Sequence, residues 1–323
     1  MACTRTQMVS SPRTGHCWVY GYNGTGGITM GVLQPFLFAE YHRQIDTELD
    51  ERIKKHRMTM AAAEARREFD DPNRPLILLA GGDSWFDYPL NGNVPLARTD
   101  IVSQLQSLPG KAPHVLNFAH FGDSTSSSFG VRQQRRLIRA LTEQTDPPFD
   151  AILYSTGGDE IAGDRFCLWL NDARRVDHDP GRGINAGAFA AILDVVKKSY
   201  MDLIALRDEF LPGQPIFCHD YDFIIPSGKG FCGVGPWLEP ALGFRNWNDR
   251  ADGTEIIWTA LLEFKQFLVQ MAAGAANIVL VDTQGTLQED TAWANELHPA
   301  PSGFQALAEK FRKALASKFP GRI

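Results

Sequence analysis

Two short segments of this chain carry residues that together can open an ester bond. The first is Gly82-Asp83-Ser84-Trp85, the second Asn295-Glu296-Leu297-His298-Pro299. A serine hydroxyl is a poor nucleophile until a base takes its proton, and histidine is the usual base because it titrates near neutral pH. The charge that then develops on the substrate oxygen needs N–H donors, each worth roughly 3 kcal/mol. Gly122, in Gly122-Asp123-Ser124-Thr125, suits that task because glycine lets the backbone come close. Ser124 competes with Ser84, since it too ends a Gly-Asp-Ser. Ser84 is preferred because it follows an apolar run, whereas Ser124 lies in a Ser/Thr stretch suited to capping the next helix. The plain structural roles for the pair are a helix cap at Ser84 and a surface loop at His298.

Of the eight histidines, two others call for comment. His219 either lines a pocket or makes a local hydrogen bond, and His120, just before Gly122, suits a structural role. His219, Asp220 and Asp222 match no established metal-ligand spacing. No metal and no cofactor is expected.

Elements to hold these residues are legible from residue 75 onward. Apolar runs at 75–82, 114–119, 150–156, 215–220 and 277–282 have the length of buried strands and are bounded by turn residues. Helical stretches at 98–108, 130–145, 187–210 and 254–273 separate them, and 302–317 closes the chain. This alternation implies a parallel sheet covered on both faces, with ligands bound beyond the carboxyl ends of the strands. Polar residues gather at that end of every run: GGDSWFDYP, FGDSTSS, TGGDEIAG, HDYDFIIPSG and WANELHPAPSGF.

On these blocks, residues 75–318 resemble the SGNH, or GDSL, hydrolase superfamily. The resemblance implies a three-layer α/β/α sandwich with a five-stranded parallel flavodoxin-like sheet. It implies Ser84 as nucleophile, His298 as base, and Gly122 and the Ser84 N–H as oxyanion donors. It also exposes two departures. Asp159, in Gly157-Gly158-Asp159-Glu160, stands where the family has an oxyanion asparagine, and Asn295 stands where it has the triad aspartate. An ionised Asp159 would repel an oxyanion; protonated by burial, it would donate. An amide at 295 can orient a histidine but stabilises imidazolium less well. Glu296, then Asp282 and Asp290, are candidate substitute acids, with Glu160 a further one.

Segments 164–186 and 221–253 are long for connections and suggest function. The second holds Phe223, Phe231, Trp237, Phe244 and Trp247, either a pocket wall for an apolar group or loop-core packing. Trp85, Phe86 and Tyr88 form a further apolar wall, so Trp85, His219 and Trp237 are the candidate substrate contacts. Ahead of this domain, residues 1–74 are an extension. Its first 35 residues read as irregular; YGYNGTGGITMG lacks the Lys-Ser/Thr ending of a phosphate loop. Residues 37–70 read as a charged helix, either a solvated arm or a partner surface through which copies of the chain would associate.

The net charge of −6, with no basic cluster interleaved with aromatics, argues against nucleic acid. No run reaches the length of a membrane span. Five cysteines in no zinc or redox spacing read mostly as free thiols, although Cys218 and Cys232 would pair on export. With no signal layout at the start, a cytoplasmic location is expected. Three function classes follow: an esterase or lipase-like hydrolase acting on a small-molecule or lipid-like ester, a carbohydrate O-acetyl esterase or acyltransferase using the same serine, and a non-catalytic binding protein on this scaffold.

Overall fold

A computed structural model describes residues 7–10, 17–20, 30–93, 98–122, 130–143, 146–231, 235–288 and 290–323. Ser124, the competing serine, and Cys232 lie outside them.

Five strands form one parallel sheet: β3 (Ile77–Gly82), β4 (His114–Asn117), β5 (Ala151–Ser155), β6 (Ile216–His219) and β7 (Ile278–Val281). Their order across the sheet is β4-β3-β5-β6-β7. Counted within the sheet this is 2-1-3-4-5, the flavodoxin-like order, whose switch point lies between β3 and β5. Strands β3, β5 and β6 are buried along their whole length, while β4 and β7 are partly exposed edges. That is why the central runs read as continuous apolar stretches.

Helices cover both faces. On one, α2 (Ile101–Leu105) packs on α7 (Pro301–Lys318). On the other lie α3 (Val131–Glu143), α4 (Ala186–Phe210) and α6 (Arg250–Gly274), each packed on the next. Helix α7 shows why: Phe304, Leu307, Ala308, Phe311 and Leu315 recur at helical spacing, and all are buried. Asp100 opens α2 with a capping box, its carboxylate taking the Ser103 N–H at 2.8 Å. The result is a three-layer α/β/α sandwich.

The chain divides into two compact units, Met1–Glu51 and Arg52–Ile323. The first holds an antiparallel pair, β1 (Gln7–Ser10) and β2 (Cys17–Tyr20), and the first part of helix α1 (Met30–Ala65). Paired strands thus replace the irregular run expected there. These strands are four residues each, too short to show a period. The boundary lies inside α1, not at residue 74. From Arg52 on, α1 belongs to the larger unit: Ile53, His56, Met60 and Ala63 are buried, and the His56 ring stacks on Phe149 at 5.9 Å. This part of the helix is docked and is no solvated arm.

Segment 164–186 holds three single 3-10 turns. Segment 221–253 holds the short helix α5 (Glu239–Phe244).

Candidate active site

The turn after β3 sets the position of Ser84. Gly82 has φ 124°, and a Cβ there would lie 1.9 Å from the Ser155 carbonyl oxygen, so only glycine fits. Asp83 then bonds back to β5, its N–H on the Ser155 carbonyl at 3.0 Å. The turn delivers Ser84 to the carboxyl end of the sheet. There Ser84 Oγ lies 2.8 Å from His298 Nε2, across 214 residues of sequence. His298 Nδ1 lies 3.0 Å from Asn295 Oδ1.

The orientation of Asn295 follows from its partners. Its Oδ1 also faces the backbone N–H groups of Leu297 and His298, at 3.1 and 3.0 Å, which can only donate. Its Nδ2 donates to the Tyr88 hydroxyl at 2.9 Å and to Asn93 Oδ1 at 3.3 Å. With oxygen facing the ring, Nδ1 must carry the proton, and Nε2 is left to accept from Ser84. This is the tautomer a general base needs. Tyr88 also stacks on the imidazole at 4.1 Å, and Trp237 meets it edge-on at 5.5 Å. Burial pushes His298 down to about 3, so the ring is neutral at physiological pH.

A second set of polar groups lies next to Ser84, around Asp83. Ser155 Oγ is 2.7 Å from Asp83 Oδ1 and 2.8 Å from His219 Nε2. The Tyr221 hydroxyl donates to Asp83 Oδ2, and the Trp85 N–H donates to Oδ1 at 3.0 Å. Serine, histidine and aspartate thus meet here too, but the serine sits between the other two and no residue is more than 1% exposed. His219 Nδ1 accepts the Tyr221 N–H at 3.3 Å, so Nε2 donates to Ser155, which donates to Asp83. The arrangement satisfies a buried carboxylate, which burial raises to about 6 against these hydrogen bonds.

His219 is therefore no substrate contact. It stacks behind Trp85 at 5.4 Å and is 1% exposed. Phe86 is fully buried against Phe311, so of the three aromatics after β3 only Trp85 reaches the pocket.

The pocket at Ser84 measures about 350 Å³ counting its open mouth. Trp85, Ile161, Ala162, Ile224, Leu261 and Leu297 make its walls apolar, and Asp159 stands half-buried on its rim. Gly122 follows β4 with φ 77° and open space around it.

Glu296 is not the histidine's acid. Its two oxygens take the N–H groups of Gly228, Trp237, Leu238 and Glu239, at 3.3, 2.5, 2.7 and 3.1 Å. The carboxylate thereby anchors Gly228 and the start of α5 at 237–239. Asp282 pairs with Lys265 and Asp290 faces Arg250, both largely exposed. Asp220 and Asp222 accept from Thr283 and from Gly285 and Leu287, which ties the loop after β6 to the loop after β7. Two aromatics of segment 221–253 serve packing: Phe223 tilts on Trp258, and Trp247 donates to the Asn171 carbonyl, whereas Phe244 is exposed. Asn93 and Tyr221 were not legible as site residues, since a lone tyrosine or asparagine carries no spacing signal, and Tyr88 was expected as an apolar wall, not as the acceptor of the Asn295 amide.

No family model matches the sequence, and no curated protein does. Solved structures are similar to it. A lipase from a goat rumen metagenome is 16% identical over 74% of this chain and 97% of its own, with TM-score 0.46. A carbohydrate acetylesterase family member from Sinorhizobium meliloti is 14% identical over 76% and 99%, with TM-score 0.47. An extracellular lipase from Streptomyces rimosus is 14% identical over 74% and 100%, with TM-score 0.48. Likenesses of this size assign no activity, which must be argued from the site.

Proposed function

We propose that this protein is a serine hydrolase that cleaves carboxylic esters through an acyl-enzyme. The observation that carries the reading is the relay from Ser84 Oγ to His298 Nε2 and from Nδ1 to Asn295 Oδ1. Ser84 attacks the ester carbonyl while His298 Nε2 takes its proton. The N–H groups of Ser84 and Gly122 receive the oxyanion. The imidazolium returns the proton to the leaving alkoxide, and a water then repeats the sequence on the acyl-enzyme. Asn295 holds the ring in the productive tautomer but adds no negative charge. Catalysis is expected to be correct in geometry and modest in rate.

The small apolar pocket favours a short acyl group, and Trp85 would form its wall. An acetylated carbohydrate fits the same chemistry, with Trp237 at the histidine as the surface for the alcohol part. Asp159, on the rim, is read as facing the oxyanion in a neutral or averted state.

A fluorophosphonate probe tests the reading. Wild type should label at Ser84, and Ser84→Ala should lose both labelling and ester hydrolysis. Ser124→Ala should keep both. Labelling that survives Ser84→Ala would sink the assignment and leave a binding protein or another nucleophile.

A further inference from the structure

The loops that carry Ser84 and Gly122 are joined by a side chain that belongs to neither. Arg52 lies on α1, in the part of that helix that belongs to the same compact unit as the sheet. Its Nη1 donates to the backbone carbonyls of Asn117 and Ala119, at 3.1 and 2.8 Å, where β4 gives way to the loop leading to Gly122. Its Nη2 donates to both oxygens of Asp87, at 3.1 and 3.0 Å, three residues after Ser84. Asp87 is almost wholly buried and takes a second cation, Arg98, at 2.5 Å. Asn117 closes the circle: its Nδ2 donates to the Phe86 carbonyl at 2.7 Å, and its Oδ1 accepts the Ala119 N–H at 3.0 Å.

Backbone pairing alone does not reach Phe86 and Asp87. The ladder between β3 and β4 ends at Ala80 and Asn117, and the Phe118 and His120 N–H groups continue it only to Ala80 and Gly82. Past that point, side chains of Arg52 and Asn117 tie residues 86 and 87 to the strand end at 117–119. A planar guanidinium can hold two carbonyls and a carboxylate at once, and each bond is charge-assisted. A lysine in its place would keep the charge but lose the fork.

We propose that Arg52 is a positioning residue for catalysis, setting the Ser84 hydroxyl against the Gly122 N–H that receives the oxyanion. The inference rests on the reading of Ser84 as nucleophile. It gives the helix ahead of the sheet a task in the chemistry, although Arg52 itself touches no reacting atom. A misplacement of about 1 Å in such a pair costs on the order of 100-fold in rate.

The test uses the full chain with Arg52→Lys, Arg52→Ala and Arg98→Ala. Three quantities are measured: kcat and KM on a short-chain ester, the rate of fluorophosphonate labelling, and backbone amide hydrogen exchange. Arg52→Lys should lose roughly 10- to 100-fold in kcat and in labelling rate, with KM within about threefold. Amides of 84–88 and 118–122 should exchange faster, while those of β5 and β6 stay protected. Arg98→Ala, which leaves the Arg52 fork in place, should lose less than about threefold. If Arg52→Ala fails to fold, Arg52→Lys alone decides. Wild-type kcat in Arg52→Lys overturns the proposal, and so does a kcat loss without faster exchange in both loops. Labelling of wild type at a residue other than Ser84 would instead refute the nucleophile, while exchange would still report whether Arg52 joins the loops.

Discussion

At the scale of single residues, the site turns on an amide where a carboxylate would be expected. An asparagine beside a catalytic histidine is harmful when it turns its NH2 to the ring and forces the wrong tautomer. Here that is prevented, because the Leu297 and His298 N–H groups require the oxygen while Tyr88 and Asn93 accept from the nitrogen. What is missing is charge. Asn295→Asp should raise kcat/KM by about tenfold, the Tyr88 hydroxyl turning to donate to the new carboxylate. A loss in this variant, with the fold intact, would show that the amide itself is required. The same argument predicts a pH profile. The base acts unprotonated, and burial holds His298 at about 3. Wild-type kcat/KM should therefore stay level from neutral pH into the acid range and fall only as pH approaches that value. In Asn295→Asp the acid limb should move to higher pH, because the carboxylate favours the imidazolium. A wild-type limb near 6.5 would mean that the working histidine is solvated.

Asp159 makes the converse case, a carboxyl group on the rim of a pocket that must accommodate negative charge. Asp159→Asn donates at any pH, so it should keep or gain activity, most clearly at alkaline pH. A large loss at every pH would make the carboxylate a working acid and send the search for an oxyanion donor elsewhere.

At the scale of elements, the loops are fixed by buried carboxylates that receive backbone N–H groups. Glu296 is the clearest, holding four donors from segment 228–239. Glu296→Ala would leave those donors buried without an acceptor, at a cost of roughly 3 kcal/mol. A lowered Tm is expected, with a raised KM because Trp237 lies on the loosened segment. An unchanged Tm would mean that the loop is held by other contacts. Such anchors are hard to see in sequence. Glu296 sits one residue from Asn295 and reads as its natural substitute, yet adjacent residues on an extended turn point in different directions.

At the scale of the whole molecule, the described site is built from residues 52–323. Removing residues 1–29 should leave kcat/KM within about threefold, since every described group of the site lies in the larger unit. A larger loss would assign the first unit a part in catalysis. Cys218 is a free thiol that burial pushes up to about 12, so it is an inert core residue and no redox switch.

The sequence by itself determined the five strands, the parallel sheet and the end of it at which the chemistry sits. Those features depend on local composition: apolar runs of strand length, glycine at the turn after each, and helical periodicity between them. It also singled out Ser84 and His298, because each stands in a short block that follows a legible strand. What only the tertiary structure decided are relations between distant residues. Asn295 serves the histidine because Tyr88, 207 positions away, takes its NH2. His219 lies under the site because Ser155 and Tyr221 need its ring there. Arg52 enters the picture because α1 lays it across two loop ends. Each is a hydrogen bond between side chains far apart in sequence, and no local period or spacing records such a bond before the chain has folded.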